Sequence, residues 1–335
     1  MRGYGHGGDV EAFAKHCGCT VGEVVDLSSN INFITPMVDF SGVTLNSYPT
    51  YDRLTETLAS HYKVTSEELE LFNGGSSAIF ALLRFLDNPT CTIYSPAYLE
   101  YKKAALLYGK KVTLINRFEA MDTKVEANSL VIFVNPSTPD GHYYEIETLI
   151  ERWSAQNCTI LIDESFLEFC GKASATRYLR TYDKLYILQS QTKFYGCAGV
   201  RVGVVLSSRK NIRLLRVKEP LWKISALDSH FLITALNDEP FRMQSRVLND
   251  EAKTYLKRLL DNSPLFERLF LSDANFFLVR LAHMNAKEFQ ERLIPYKIMV
   301  RDCSNFDFLD AGYLRIAVKS LAELKRFREA LCSLT

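Results

Sequence analysis

Short apolar runs alternate with segments of helical periodicity through the middle of this chain, and this alternation restricts its fold more than any other feature. On the helical side, Ile79, Leu82, Leu83 and Leu86 fall on one stripe of a helical period. The apolar runs have the length of buried strands, and they are Cys91–Tyr94, Lys111–Ile115, Leu130–Val134, Thr159–Ile162, Leu185–Leu188 and Val200–Leu206. Strands that alternate with helices form a mostly parallel sheet covered on both faces, so we predict an α/β fold.

The pattern changes after about Trp222, where a long, charge-rich helical stretch, Arg246–Leu260, replaces the alternation. Ser320 and Glu323 then have the spacing of a capping box at the start of a last helix. The N-terminal 40 residues hold too few apolar side chains to fold alone, and a length of 335 residues suits two domains. We predict an N-terminal segment (1–42) that packs on the small domain, a large domain (43–222) and a small α+β domain (223–335).

Charge and hydropathy exclude two classes of function. Forty Lys and Arg residues balance 39 Asp and Glu residues, so the chain lacks the cationic footprint of a nucleic-acid-binding protein. No apolar stretch is long enough for a membrane helix, and residues 1–8 lack the apolar core of a signal peptide. We therefore expect a cytoplasmic protein that binds neither nucleic acid nor membrane.

The eight cysteines are spread along the chain and do not form the framework of a disulfide-rich protein. We expect them to be reduced. His16, Cys17 and Cys19 invite a metal-binding interpretation, but no second pair of Cys or His residues follows at a usable spacing. A helix that ends at Gly18 explains this stretch better, so we predict no metal site.

Residues 190–203 contain the pattern S-x-x-K-x7-R-x-G between two predicted strands. Loops at the carboxyl ends of parallel strands are where α/β sheets place their ligands. The amine of Lys193 can form a Schiff base with an aldehyde cofactor there, while Ser190 and Arg201 bind the phosphate of that cofactor. An isolated lysine is usually a solvated surface residue, but the complete pattern and its small and apolar neighbours favour a catalytic role.

This pattern resembles the lysine region of the pyridoxal-phosphate enzymes with the aspartate-aminotransferase fold, fold type I. The resemblance implies a large domain with a mostly parallel seven-stranded sheet, a smaller α+β domain and pyridoxal 5′-phosphate (PLP) as cofactor. Asp163 corresponds to the aspartate that ends a strand and pairs with the pyridine nitrogen. A carboxylate at this place keeps the nitrogen protonated, so that the ring can accept electrons.

Three further segments resemble the cofactor site of this family. The N-G-G-S-S turn implies that Gly75, Ser76 and Ser77 bind the cofactor phosphate at the N-terminus of a helix. Tyr98 corresponds to the aromatic residue that stacks on the cofactor ring. Tyr48 corresponds to a tyrosine that reaches the phosphate of the neighbouring subunit, which implies a homodimer with shared active sites.

Residues 135–141 resemble the N-P-x-N-P-x-G turn of the family with one departure. Thr138 replaces the asparagine that bonds the 3′ oxygen of the cofactor. A threonine hydroxyl can donate one hydrogen bond there, but it lacks the two donors of an amide. Ala198 replaces a proline of the family, and we expect no consequence from that change.

Both ends of the chain resemble the threonine-phosphate decarboxylases within this fold. The likeness rests on the H-G-G start at His6, on residues 25–32, on the R-x-C-x-N segment from Arg301 and on residues 313–320. Enzymes of that kind make aminopropanol phosphate for the nucleotide loop of cobalamin. The resemblance implies PLP-dependent decarboxylation of O-phospho-L-threonine, or of O-phospho-L-serine, which is smaller by one methyl group.

A substrate with an α-carboxylate and a phosphomonoester requires several cations and neutral donors. We expect Arg315 to bind the carboxylate as a bidentate fork, and His6, Gly7, Asn30 and Arg301 to bind the phosphate. A surface salt bridge is the ordinary role of a single arginine, and a glycine-rich terminus is ordinarily disordered. Only the joint match of these residues to one group of enzymes favours the substrate site.

Two alternatives remain open at this point. Histidinol-phosphate aminotransferases share the fold and a phosphorylated substrate, although the resemblance to them does not extend to the H-G-G start. A relative without catalytic activity, acting as a scaffold, would account for Thr138. That alternative does not explain why Lys193, Asp163 and Arg201 are all present.

Overall fold

The structure, a computed structural model, describes residues 7–334. His6, one of the predicted phosphate ligands, lies outside this range. The helices within it are α1 Val10–Cys17, α2 Asp52–Tyr62, α3 Gly74–Phe85, α4 Leu99–Leu107, α5 Glu147–Ala155, α6 Arg209–Arg216, α7 Ala226–Asn237, α8 Glu239–Asp261, α9 Ala286–Leu293 and α10 Leu321–Leu334. The strands are β1 Val25–Asp26, β2 Leu69–Phe72, β3 Thr90–Ser95, β4 Lys111–Asn116, β5 Leu130–Val134, β6 Thr159–Asp163, β7 Leu185–Ser190, β8 Gly203–Ser207, β9 Phe266–Leu269, β10 Phe276–Leu281, β11 Ile298–Met299, β12 Arg301–Asp302 and β13 Tyr313–Ala317.

Seven strands form the larger sheet in the order β2-β8-β7-β6-β5-β3-β4. β8 is antiparallel to both of its neighbours, and the other adjacent strands are parallel. The predicted mostly parallel sheet of seven strands is therefore confirmed. The sequence patterns did not predict β2, and β8 begins at Gly203 and not at Val200.

Apolar side chains are buried on both faces of the larger sheet, as the continuous apolar runs predicted. Every residue of β5 is buried. Val131 and Phe133 join the cluster on one face with side chains from α2, α5 and α7. Leu130, Ile132 and Val134 join the cluster on the other face with side chains from α3, α4 and α6. The sheet is thus the middle layer of three. The helices cover its two faces, so a ligand site can form at the ends of its strands.

The second sheet is smaller and antiparallel, with the strand order β12-β13-β10-β9. Its apolar face packs against α8, α9 and α10 around Phe277, Phe289 and Phe327. α10 begins after Ser320, whose hydroxyl and backbone N–H exchange hydrogen bonds with Glu323 in the predicted capping box. The α+β character of the C-terminal part is therefore confirmed, and its long helix extends beyond the predicted range at both ends.

The N-terminal segment joins the C-terminal part of the chain. β1 pairs in parallel with β11, and Val25 and Leu27 are buried in the cluster of the smaller sheet. α1 ends at Gly18, which adopts a left-handed φ of 65°, as the helix interpretation of that stretch predicted. α7, in contrast, packs against α2 beside the larger sheet. The domain boundaries at residues 42 and 222 stay a prediction.

Candidate active site

A cavity of about 280 Å³ lies where the carboxyl ends of β5, β6 and β7 face the N-terminus of α3 and the smaller sheet. Open α/β sheets place their ligands at this edge. Most of the predicted site residues line the cavity: Gly7, Asn30, Gly75, Ser76, Tyr98, Thr138, Asp163, Ser190, Lys193, Arg201, Arg301 and Arg315. Of the predicted residues within 7–334, Tyr48 and Ser77 are not part of its lining.

Lys193 follows β7 and is half-buried at the wall of the cavity. Burial, and after it the positive charges of Arg315 and Arg201, lower the pKa of its amine to about 8, while Asp163 acts in the opposite direction. A neutral amine is the nucleophilic form of lysine. The neutral fraction of Lys193 near pH 7 is therefore far larger than that of an exposed lysine, and this fraction can attack an aldehyde.

The N-terminus of α3 forms a cradle for an anion. The side chain of Asn73, which precedes the helix, does not cap it, so the first backbone N–H groups of α3 keep their capacity to bind a ligand. Gly74 has a φ of 80°, and a Cβ there would collide with the guanidinium of Arg201. A Cβ at Gly75 would lie 3.2 Å from Cβ of Ser190. The glycines thus let a guanidinium and a hydroxyl approach the helix terminus closely.

The two serines of the turn point in different directions. Oγ of Ser76 lies 3.3 Å from the hydroxyl of Tyr98, and both residues line the cavity. Ser77 is exposed, and its hydroxyl donates to the carbonyl of Asn73 within its own helix. The structure therefore brings Ser76 but not Ser77 into the cavity.

Asp163 ends β6 and is buried at the cavity wall. Its Oδ1 accepts hydrogen bonds from the hydroxyl and the backbone N–H of Ser165, at 2.5 and 2.9 Å. Its Oδ2 accepts one from the hydroxyl of Tyr101 at 2.7 Å. Burial raises the pKa of Asp163, whereas these hydrogen bonds lower it. Since a carboxylate oxygen has two lone pairs, Oδ2 can accept one more donor from the cavity.

Two arginines enter the cavity from the smaller sheet. Arg301 and Arg315 are directly opposite each other on the antiparallel pair β12–β13, and both are buried. Nη1 of Arg315 donates to Oγ1 of Thr138 at 3.1 Å, and Nη2 donates to the carbonyl of Ser28 at 3.0 Å. Nη2 of Arg301 donates to Oδ1 of Asn305 at 2.8 Å.

Arg315 is a buried cation that uses two of its five N–H donors in these hydrogen bonds. Burial lowers its pKa to about 10, and no carboxylate forms an ion pair with it among residues 7–334. Its Nε has no hydrogen-bond partner in that part of the chain. A buried charge without an acidic partner is costly, so this guanidinium is a strong candidate to bind an anionic ligand.

The N-terminal segment closes one side of the cavity. The N–H of Gly8 donates to Oγ of Ser28 at 2.8 Å, and a Cβ at Gly7 would clash with the carbonyl of Ser28. Asn30 is buried, and its carbonyl accepts a hydrogen bond from Asn275 at the start of β10. Gly7 and Asn30 therefore reach the predicted substrate site, whereas the predicted role of His6 falls on a residue outside the described range.

Tyr48 lies away from the cavity of its own chain. Its side chain is 74% exposed and stacks on Trp222, with ring centroids 4.2 Å apart. Trp222 is also exposed. This position neither contradicts nor tests a contact with a neighbouring subunit, so that role stays a prediction.

Sequence reasoning missed several residues of the cavity wall. Ser28 lies within a segment that the resemblance included, and Thr192 directly precedes Lys193, so both had a signal in their neighbours. Phe306 follows the R-x-C-x-N segment and packs below Arg301, 5.4 Å from its guanidinium to the ring centroid. For Ser165, the sequence indication was its position two residues after Asp163, which is the spacing of an Asx turn.

Within residues 7–334, no group of three or more His, Cys, Asp or Glu side chains could hold a metal ion. Over the same range, no helix combines the length and the apolar character needed to span a bilayer. All eight cysteines are free thiols.

Comparison with known proteins places the chain in a family. The model of the family described as aminotransferase class I and II matches residues 24–331. Threonine-phosphate decarboxylase of Salmonella typhimurium is 26% identical over 97% of this chain and 95% of its own length. The adenosylcobalamin biosynthesis bifunctional protein CobDQ of Leptospira interrogans is 30% identical over 98% of this chain, which spans only 41% of that protein. Histidinol-phosphate aminotransferases are also among the relatives.

A solved structure shows the same fold. The histidinol-phosphate aminotransferase of Clostridium acetobutylicum superimposes with a TM-score of 0.83 and 24% sequence identity, over 92% of this chain and 98% of that one. The predicted fold type is therefore confirmed.

The geometry of the cavity fits the cofactor of this family. The amine of Lys193 suits an aldehyde, the uncapped N-terminus of α3 with Arg201 suits a phosphate, and the free lone pair on Oδ2 of Asp163 suits a protonated ring nitrogen. The chain therefore belongs to the class I and II aminotransferase family, and it is an enzyme that depends on pyridoxal 5′-phosphate.

Proposed function

We propose that this enzyme decarboxylates O-phospho-L-threonine to aminopropanol phosphate for the nucleotide loop of cobalamin, with O-phospho-L-serine as a smaller alternative substrate. The observation that carries this proposal is the charge of the cavity. Three guanidiniums line it, those of Arg201, Arg301 and Arg315, against the single carboxylate of Asp163 among its described lining residues. Such a site favours ligands with several negative charges.

The cations are arranged in two groups that suit two ligands. Arg201 lies at the N-terminus of α3, beside the larger sheet, and would bind the phosphate of the cofactor with Ser76 and Ser190. Arg301 and Arg315 enter from the smaller sheet and would bind the substrate. A phosphorylated amino acid carries a carboxylate and a phosphate, which matches this second pair of guanidiniums.

Each end of the substrate has a proposed partner in the second group. Arg315 keeps Nε–H and the second N–H of each terminal nitrogen for the α-carboxylate, while Thr138 and Ser28 fix the orientation of its guanidinium. Arg301 with Gly7 and Asn30 would bind the phosphomonoester. Fixing both ends of a substrate selects the rotamer in which one particular bond at Cα is aligned for cleavage.

The cofactor, when bound, supplies an electron sink for the pair released as CO₂ leaves. Lys193 would hold the aldehyde carbon of the cofactor before the substrate amine arrives. Once displaced, its Nζ can carry the proton that Cα takes up, because an amine with a pKa of about 8 is both a donor and an acceptor near neutral pH. Asp163 would hold the proton on the ring nitrogen, and Tyr98 would cover the ring.

We also propose that the active form is a homodimer with shared sites. Several large apolar side chains near Tyr48 and Trp222 in sequence are exposed, and they are Met37, Leu45 and Leu221. Exposed apolar surface of this kind is typical of an interface. A second copy that covers it would bring Tyr48 towards the neighbouring cofactor phosphate.

Histidinol-phosphate aminotransferase activity is the second candidate, and the relatives that carry that name favour it. Its substrate also has a phosphate and an amine, but it has no α-carboxylate. The 2-oxoglutarate that accepts the amine does have one, so Arg315, whose Nε has no partner among residues 7–334, suits either activity. Gly7 lines the cavity and belongs to the H-G-G start, which resembles the decarboxylases and not the aminotransferases, and this favours the decarboxylase.

The test is a product assay on the PLP-loaded enzyme. O-phospho-L-threonine and O-phospho-L-serine are supplied separately, and CO₂ and the amino-alcohol phosphate are measured. Histidinol phosphate with 2-oxoglutarate is supplied in a third reaction, and glutamate is measured. We expect CO₂ from O-phospho-L-threonine, with a higher kcat/KM than from O-phospho-L-serine. Glutamate formation from histidinol phosphate, without CO₂ from either phosphorylated amino acid, would overturn the proposal. Lys193→Ala should be inactive, and Lys184→Ala, at the residue that directly precedes β7, should not differ from the wild type.

A further inference from the structure

Tyr101 is a buried hydroxyl next to the active site that the mechanism above does not use. It lies on α4 with 0% of its surface exposed and is not part of the cavity lining. Its hydroxyl donates to Oδ2 of Asp163 at 2.7 Å. Its ring meets that of Tyr98 edge to face, with centroids 6.5 Å apart. One side chain therefore contacts both the carboxylate proposed for the ring nitrogen and the aromatic residue proposed to cover the ring.

The two oxygens of Asp163 are held by different elements. Oδ1 is bonded by Ser165, which is only two residues further along the chain. Such a local contact does not fix the carboxylate relative to other elements. Oδ2 is bonded by Tyr101, which is 62 residues away on α4, in the helical layer on one face of the larger sheet. The hydrogen bond from Tyr101 therefore fixes the carboxylate of Asp163, at the end of β6, relative to α4.

Tyr101 is suited to act as a permanent donor. Burial and the neighbouring Asp163 raise its pKa well above the ordinary value, so the hydroxyl keeps its proton over the working range of pH. Hydrogen bonds to the charged form of a carboxylate stabilise that form. The other charged or titratable groups that act on Asp163 are Lys193, which favours its charge, and Glu164 and Tyr98, whose anionic forms oppose it.

We propose that Tyr101 is a positioning residue that fixes the orientation of the Asp163 carboxylate and stabilises its charged form, and thereby sets how tightly the enzyme holds its cofactor. This inference rests on the proposed role of Asp163 and goes beyond it. It requires no particular substrate, so it can hold for a decarboxylase and for an aminotransferase alike.

Tyr101→Phe removes the hydroxyl and leaves the ring in place. A hydrogen bond to a charged group contributes enough that the affinity of the apoenzyme for PLP should fall about tenfold. Since the variant lacks one donor to the carboxylate, the pKa of Asp163 should rise, and the affinity for PLP should decline at a higher pH on acidification than in the wild type.

Tyr94→Phe is the matched control. Tyr94 is also fully buried and its hydroxyl also has one described partner, since it accepts a hydrogen bond from Nε1 of Trp153 at 3.1 Å. It lies on β3 and does not line the cavity. Its loss should lower the thermal midpoint of the apoenzyme and leave the affinity for PLP and its pH dependence unchanged.

The measurement is a titration of each apoenzyme with PLP, followed by absorbance between pH 5 and pH 9, with the thermal midpoint as a check of folding. The same titration is made for Asp163→Ala with and without Tyr101→Phe, because a residue that acts through Asp163 has no further effect once Asp163 is absent. Equal affinity and equal pH dependence in Tyr101→Phe and Tyr94→Phe would overturn the inference. So would a tenfold loss that persists in the Asp163→Ala background. No amino acid is present in these titrations, so a failure of the proposed decarboxylation does not alter their outcome.

Discussion

Nη1 of Arg315 donates a hydrogen bond to Oγ1 of Thr138 across 3.1 Å, and it joins the smaller sheet to the turn after β5. Thr138 stands where the resembling family has an asparagine. Its hydroxyl accepts from the arginine and still has its own proton to donate towards the cavity. The departure from the family pattern therefore keeps a link between the cofactor side of the cavity and the proposed carboxylate site.

Thr138→Val tests this link. Valine has the shape of threonine but cannot accept from Arg315, so we expect KM for the phosphorylated amino acid to rise about tenfold while the protein folds normally. Steady-state kinetics on the variant measure the change. Thr138→Ser keeps the hydroxyl and should retain most of the wild-type KM. An unchanged KM in the valine variant would show that the contact does not position Arg315.

The lowered pKa of Lys193 predicts how cofactor loading depends on pH. The amine is neutral above its pKa, so the rate at which the apoenzyme incorporates PLP should rise with pH and level off above about 8. Arg315→Met removes a neighbouring positive charge, which should raise the pKa of Lys193 and move the midpoint to higher pH. Stopped-flow absorbance over a range of pH gives both midpoints. A wild-type midpoint at the ordinary pKa of an exposed lysine would contradict the electrostatic account.

The glycine at the start of α3 predicts a sharp difference between two alanine variants. Gly74 and Gly109 both have positive φ, at 80° and 72°, so alanine strains the backbone at either place. Only at Gly74 would the new Cβ meet the guanidinium of Arg201, since nothing lies within 4 Å of a Cβ at Gly109.

We therefore expect Gly74→Ala to lower the affinity for PLP at least tenfold and Gly109→Ala to leave it unchanged. Equilibrium dialysis with PLP compares the two variants, and their thermal midpoints report the strain that they share. Equal affinities would mean that Arg201 and the helix terminus do not form the phosphate cradle.

The exposed pair of Tyr48 and Trp222 predicts the behaviour of the oligomer. Trp222→Glu places a charge in the surface that we propose a second copy covers, so the dimer should dissociate at concentrations where the wild type stays dimeric. Leu271→Glu makes the same change at a side chain that is 70% exposed in the C-terminal part of the chain. Sedimentation velocity should show a shift to monomer for the first variant only. A shift for neither would place the interface elsewhere.

The fold could be predicted from the sequence where burial is complete. A strand such as β5, buried on both faces, has to be a continuous apolar run, and its predicted bounds agree with the structure. β2 escaped prediction because it is short and has Glu70 in it, whose buried carboxylate is paired with Arg216 and Lys223. β8 begins at Gly203 and not at the predicted Val200, because Arg201 lies outside the strand with its guanidinium against the N-terminus of α3.

The segments that form the site could be predicted from the sequence, but the directions in which their side chains point could not. Ser76 and Ser77 are equivalent in the motif, yet a helix turns by about 100° per residue, so only one of them can face the cavity. The sequence pattern indicates only that Tyr101 is another apolar residue of α4, and only the folded chain brings its hydroxyl to Asp163. Contacts between residues far apart in sequence decide both cases, and no local pattern encodes them.

The most direct test of the central claim is the release of CO₂ from O-phospho-L-threonine labelled with ¹³C in its carboxyl group. The PLP-loaded enzyme should release labelled CO₂ and aminopropanol phosphate in equal amounts, and Arg315→Lys should lower kcat/KM by about a hundredfold because a lysine cannot form the bidentate fork. Retention of the label in a keto acid, with the amine transferred to an acceptor, would contradict the account.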